Sequence, residues 1–129
     1  MSAIARIIEK LKKHPELSYK QEGNIVTVEP ADADGFAVGL SERDGGYTVS
    51  CEGWHEEFES EEAALNCFAF GLSDQCRLKI DYRGSFPYRW SVEAANGDGW
   101  TLDSTTGLLL FPFWRCRHTA YRQNHVLVT

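Results

Sequence analysis

Residues 35–72 read GFAVGLSERDGGYTVSCEGWHEEFESEEAALNCFAFGL, three short β-patterned runs followed at once by a largely apolar helix. This stretch limits the fold more than any other. Residues 36–40 alternate large and small side chains, and Arg43-Asp44-Gly45-Gly46 is a turn whose glycines can take positive φ. Tyr47, Thr48 and Val49 restart a strand in β-favouring residues, and Glu52-Gly53 punctuates before a third strand over 54–58. Ser60 is placed to cap the helix, with Glu61 and Glu62 where its dipole favours negative charge. Ala64, Leu65, Phe68 and Leu72 share one helix face, and Cys67, Ala69 and Phe70 widen it. A helix apolar over most of its circumference packs on a sheet along a broad front. Gly71 and Ser73-Asp74 are the expected stop.

The residues before this stretch predict a second helix. Ile4, Ile7, Ile8 and Leu11 fall at the i, i+3, i+4, i+7 spacing of one face, with Ser2 as cap and Pro15 as stop. Two strands follow around Gln21-Glu22-Gly23; in the second, Ile25 and Thr27 alternate with Val26 and Val28, and either set can be the buried one. After residue 74 the pattern is strand-rich. Leu78, Ile80 and Tyr82 face one way and Arg77, Lys79 and Asp81 the other; Gly84-Ser85-Phe86-Pro87 reads as a turn, 88–94 as a strand and Asn96-Gly97-Asp98-Gly99 as a hairpin turn. Residues 100–103 make the next strand, Thr105-Thr106-Gly107 a turn, and 108–114 a strand that Pro112 confines to an edge or a bulge. One or two last strands are expected over 115–122 and 125–128. The segments Asp44-Gly45-Gly46-Tyr47-Thr48-Val49 and Gly97-Asp98-Gly99-Trp100-Thr101-Leu102 echo each other, so two units of helix plus strands are an alternative to one continuous sheet.

The expected fold is therefore α+β over a single domain, residues 1–129: a mainly antiparallel curved sheet with two helices packed on one face. At 43% apolar and 25% charged, 129 residues suffice for one ordinary core without disulfides or metal. The apolar runs are too short to span a bilayer, and the first residues form an amphipathic helix in place of a signal peptide, which predicts a cytoplasmic protein. Cys51, Cys67, Cys76 and Cys116 lie at wide, unequal intervals and read as reduced thiols.

Charge is unevenly spread. Residues 1–74 carry 15 acids and 6 bases, and residues 75–129 carry 4 acids and 7 bases. Between Glu29 and Glu62 there are eleven acids against the single Arg43. Nucleic acid and anionic membranes need a basic face, so neither is an expected partner. The density of like charge suggests a recognition surface for a basic protein, with Asp32, Asp34, Glu56, Glu57 and Glu59 as its members. The same acids are also accounted for as outward strand faces kept soluble. Opposite charge on the two halves predicts self-association, most simply a homodimer.

Few residues carry recognisable chemistry. Cys116 and His118 share a face if they lie on a strand, and both are metal-ligand types, with His125, Cys76, or Cys51 and His55 as the remaining candidates. None has CxxC or HxxxH spacing, and a half-buried thiol beside a surface histidine explains the pair equally. No cofactor is expected. Gly45-Gly46 and Gly97-Asp98-Gly99 lack a following helix and are turns, not phosphate loops. The run Phe111-Pro112-Phe113-Trp114 stands out because a strand there places Phe111 and Phe113 opposite Trp114: either both faces are buried or one meets a partner.

In size, acidity and element order the chain resembles bacterial secretion chaperones and toxin-neutralising immunity proteins. That resemblance implies a non-catalytic protein-binding role, although a secretion chaperone is expected to end in a helix and this chain is expected to end in strands. The alternative is a small-molecule or metal-dependent site around Cys116, His118 and the aromatics.

Overall fold

The computed structural model describes residues 2–108, 110 and 112–124. Among these the chain is α+β, as expected, with two helices and nine strands. Helix α1 (Ala3–Leu11) precedes an antiparallel meander of β1 (Tyr19–Glu22), β2 (Ile25–Val28), β3 (Val38–Arg43), β4 (Gly46–Cys51) and β5 (Trp54–Phe58). Helix α2 (Glu61–Leu72) leads into β6 (Cys76–Arg83), β7 (Phe86–Asn96), β8 (Gly99–Gly107) and β9 (Arg117–Arg122), also antiparallel. In place of one continuous hydrogen-bonded sheet there are two, ordered β1-β2-β3-β4-β5 and β8-β7-β6-β9, and the division falls at α2. That boundary is the one the two-unit alternative implies.

Both helices start where their caps place them. Ser2 Oγ accepts from the Ala5 N–H at 3.1 Å, and Ser60 Oγ accepts from the Ala63 N–H at 3.2 Å. Glu61 and Glu62 occupy the first turn of α2. Helix α1 buries Ala3, Ile4, Ile7 and Leu11, and its start is tied to β3 by Ile4 N–H donating to Glu42 Oε1 at 2.8 Å. Gly71 does not end α2, as the sequence suggests. It is buried inside the helix, where a Cβ would stand 3.2 Å from Val38 Cγ1 and 3.4 Å from Cys51 Sγ, so its bare Cα sets how closely α2 approaches the sheet. Ser73 is the cap, with its hydroxyl donating to Phe70 O at 2.8 Å.

The core begins on the inner face of the first sheet. Val26, Val28, Val38, Leu40, Val49 and Cys51 are buried there, which settles β2 in favour of its valines; Ile25 is exposed. Helix α2 touches β3, β4, β5 and β6, so it bridges the two sheets. Leu78, Ile80 and Val92 carry the same core into the second sheet. Trp54 closes the joint, fully buried, with Nε1–H donating to Ser104 Oγ of β8 at 2.8 Å. Beside it, a Cβ on Gly53 would lie 2.2 Å from the Trp90 ring, so only glycine lets that indole reach its place.

Several turn assignments change. The β3–β4 turn takes positive φ at Asp44 (45°) and Gly45 (80°), while Gly46 opens β4. Phe86 and Pro87 belong to β7; Asp81 pairs with Arg89 but Tyr82 with Pro87, leaving Tyr88 as a bulge that accommodates the proline. Thr105 and Thr106 do not turn. They pair with Ser91 and Trp90 and extend β8, as β-branched residues favour. The strand expected over 108–114 is not formed by the described residues there, which are a loop, and the strand expected over 125–128 lies outside the described residues. No helix among the described residues is long and apolar enough to cross a membrane.

Candidate functional site

Strand β9 pairs with β6, not with β8, so β8 and β9 are the outer strands of the second sheet. The chain between them must pass the β6–β7 turn at the end of the sheet. It is pinned at both sides: Leu108 N–H donates to Tyr88 O at 2.8 Å, and Gly84 N–H donates to Cys116 O at 2.6 Å. Arg83 Nη1 adds a bond to Arg115 O at 3.4 Å. Between these anchors the loop offers apolar side chains to solvent. Leu110 is 89%, Phe113 69% and Trp114 73% exposed, with Leu108 and, on the adjoining turn, Phe86 also exposed. The Phe113 and Trp114 rings meet edge to face with centroids 5.4 Å apart. Arg115 and Arg117 are exposed in the same segment. Phe111 lies outside the described residues. With no strand at Phe113 and Trp114, the alternation that sets them on opposite faces does not apply, and both rings point to water.

The outward face of the second sheet is polar but strongly tied together. Arg77 donates from Nε and Nη2 to Glu93 Oε1 at 2.8 and 2.5 Å, and its guanidinium stands 4.6 Å from the Trp100 ring centroid and 4.1 Å from that of Tyr121. Four residues on, Asp81 is fully buried, contrary to the solvated position its alternation with Arg77 and Lys79 suggests. It accepts from Arg89 Nε at 2.7 Å and from Thr119 Oγ1 at 2.7 Å. Burial pushes its carboxyl up, but the bonds from Thr119 and Arg89 and the nearby cations outweigh burial and hold it below the ordinary range. The same bond to Asp81 raises Arg89. Sequence alternation identifies this face but not its pairings, because Trp100, Thr119 and Tyr121 reach it only through the register of β7–β8 and β6–β9.

The five acids of the expected recognition surface fall on two elements. Asp32 and Asp34 are exposed in the loop before β3, where Asp32 Oδ1 accepts from Asp34 N–H at 2.9 Å. That loop is held to the end of β9 by Arg122 Nη1 donating to Ala33 O at 2.5 Å and Gln123 N–H to Asp34 O at 2.7 Å. Glu56 and Glu57 are on β5 and Glu59 follows it, all exposed. Glu56 pairs with Val49 and Glu57 with Thr48, so the two point to opposite faces. Glu57 and Glu59 border an open hollow with Arg43 and Tyr47, while Glu56 lies towards α2. There, burial first, then the charges of Glu56 and Asp103, push the Cys67 thiol up to about 12. Among the described residues none of the five is in an ion pair.

Cys116 is exposed at the end of the β8–β9 loop, and His118 is on β9 opposite Tyr82, its ring stacked on the tyrosine at 4.7 Å. All four cysteines are free thiols. Cys51 and Cys76 belong to the core, and burial, with smaller charge effects, raises both, Cys76 to about 12. Exposed His55 keeps its backbone engaged with the Thr106 hydroxyl, which accepts from His55 N–H and donates to His55 O, each at 3.3 Å. No group of three or more His, Cys, Asp or Glu among the described residues is arranged to hold a metal, and His125 lies outside them. Compared with protein-family models, curated proteins and solved structures, the chain matches none.

Proposed function

We propose that this chain is a non-catalytic, cytoplasmic protein-binding domain whose docking surface is the tip of the second sheet. The observation that supports this reading is the exposure of Leu110, Phe113 and Trp114, at 89, 69 and 73%. Large rings held in water by a loop anchored at both ends serve a partner better than they serve the free fold, and tryptophan is among the commonest anchors of protein interfaces. The two rings enter an apolar pocket on the partner, and the arginines beside them meet acidic groups at its rim.

Asp32, Asp34, Glu56, Glu57 and Glu59 supply a second, electrostatic contact with a basic region of the same partner. They are exposed and without ion pairs among the described residues, so no internal cation spends their charge. Contacts of this kind act mainly on the rate of association.

Affinity capture from native lysate with the wild-type chain and with the double variant Phe113→Ser/Trp114→Ser tests the tip. A protein retained by the first and lost by the second is the expected result; the same proteins retained by both would end the reading. With that protein in hand, the double reversal Glu56→Lys/Glu57→Lys should slow association more than it speeds dissociation. Association should also slow as salt rises past about 0.15 M, where the Debye length is about 8 Å. A partner indifferent to both removes the acids from the interface.

A further inference from the structure

A groove of about 280 Å³ runs between the two helices. Ile7 and Leu11 of α1, Leu17 beyond it, and Leu65, Phe68 and Leu72 of α2 form its floor, none with a side-chain hydrogen-bonding atom. The charged or titratable side chains that line it are Arg6, Lys10 and His14, all bases. They belong to the half of the chain in which 15 acids outnumber 6 bases. Arg6 faces Glu61 at 3.3 Å and His14 faces Glu16 at 3.4 Å, whereas Lys10 is in no ion pair among the described residues.

We propose that this groove binds the hydrocarbon chain of a single-chain carboxylate, with Lys10 holding the carboxylate at the rim. Size selects the occupant. The groove is at or below the low end of small-molecule sites, which run from about 300 to 1,000 Å³, and it is too small to seat a helix about 10 Å across. A flexible alkyl chain fits an apolar floor that offers it no polar partner, and the basic rim selects an anionic head over a neutral or cationic one. Ala69 is exposed on the α2 lip, so a larger side chain there fills the groove without disturbing the core.

Calorimetric titration below the micelle concentration with decanoate, decanol and decyltrimethylammonium tests this. Decanoate should bind one to one, about fivefold more tightly than decanol, as a partly exposed ion pair allows, with the cation weakest. Extending octanoate to decanoate should tighten binding by about an order of magnitude. Ala69→Trp should abolish binding while leaving the urea midpoint in place, and Lys10→Gln should weaken decanoate about fivefold while sparing decanol. Equal affinity for all three heads, no saturable heat from any, or unchanged binding to Ala69→Trp would each overturn the proposal. None of these outcomes bears on the tip of the second sheet, which lies on other elements.

Discussion

The two sheets solve the same problem by different means. The first buries an aliphatic inner face under two helices, and its order follows from hydrophobic burial, which is strong but indifferent to detail. The second gives one face to that core and leaves the other outward, where Arg77 is clamped between Trp100 and Tyr121 and Asp81 is held by Arg89 and Thr119. Directional bonds of this kind fix strand register at modest net gain. The contrast extends to the end of the second sheet, where Leu110, Phe113 and Trp114 stand exposed outside the shared core.

The largest effect should come from the helix that bridges the sheets. Phe68→Ala removes a buried ring and should cost about 3–5 kcal/mol in urea unfolding, whereas Leu65→Ala, half-buried on the groove, should cost about 1 kcal/mol. Equal losses would mean that the groove is closed. Next is the joint between the sheets. Gly53→Ala places a methyl into the Trp90 ring and should cost about 2 kcal/mol, with a red shift in tryptophan emission as that indole is displaced.

Asp81→Ala should cost about 2 kcal/mol near neutral pH, since it removes two hydrogen bonds to a charged group. The folded-state pKa is depressed, so ionised Asp81 stabilises the fold above the unfolded value of about 3.9 and loses that effect as pH falls through the lower folded value. The gap between wild type and variant should therefore narrow on acidification; a gap constant from pH 7 to 3 would place the cost in packing instead. The smallest effect is expected at the tip. Phe113→Ser and Trp114→Ser should each change stability by less than about 0.5 kcal/mol, and a larger loss would show that the loop is part of the fold and not a surface on it.

Local signals in the sequence carried much of this architecture. Ser2 and Ser60 mark both helix starts because a cap needs only one side chain and a backbone three residues away. Period-two alternation identifies β6 because one buried face, with Leu78 and Ile80, suffices to show it, and β-favouring residues mark β4. What was not legible depends on neighbours distant in sequence. Pro87 reads as a turn residue until the bulge at Tyr88 makes room for it, and Thr105 and Thr106 read as a turn until β7 supplies partners. The aromatic run after Gly107 was conspicuous in composition, but its exposure follows from β9 pairing with β6. The acids were equally conspicuous, and the strand expected over 54–58 already sets Glu56 and Glu57 on opposite faces, as the register of β5 has them.

Asn124 is buried near the far end of the chain, where its Oδ1 accepts from Phe36 N–H at 3.1 Å and its Nδ2 donates to Phe36 O and Gly71 O, each at 3.0 Å. Its partners are made some 53 and 88 residues earlier. A chain growing on the ribosome thus completes the first sheet and α2 well before the side chain that latches them has been added. During that interval the Phe36 amide and carbonyl and the Gly71 carbonyl lack this partner, so the first half is finished only when the second arrives. A premature stop between residues 73 and 123 spares every residue of the meander and its helix yet removes the side chain that ties Phe36 to Gly71, so the fault appears far upstream of the cut.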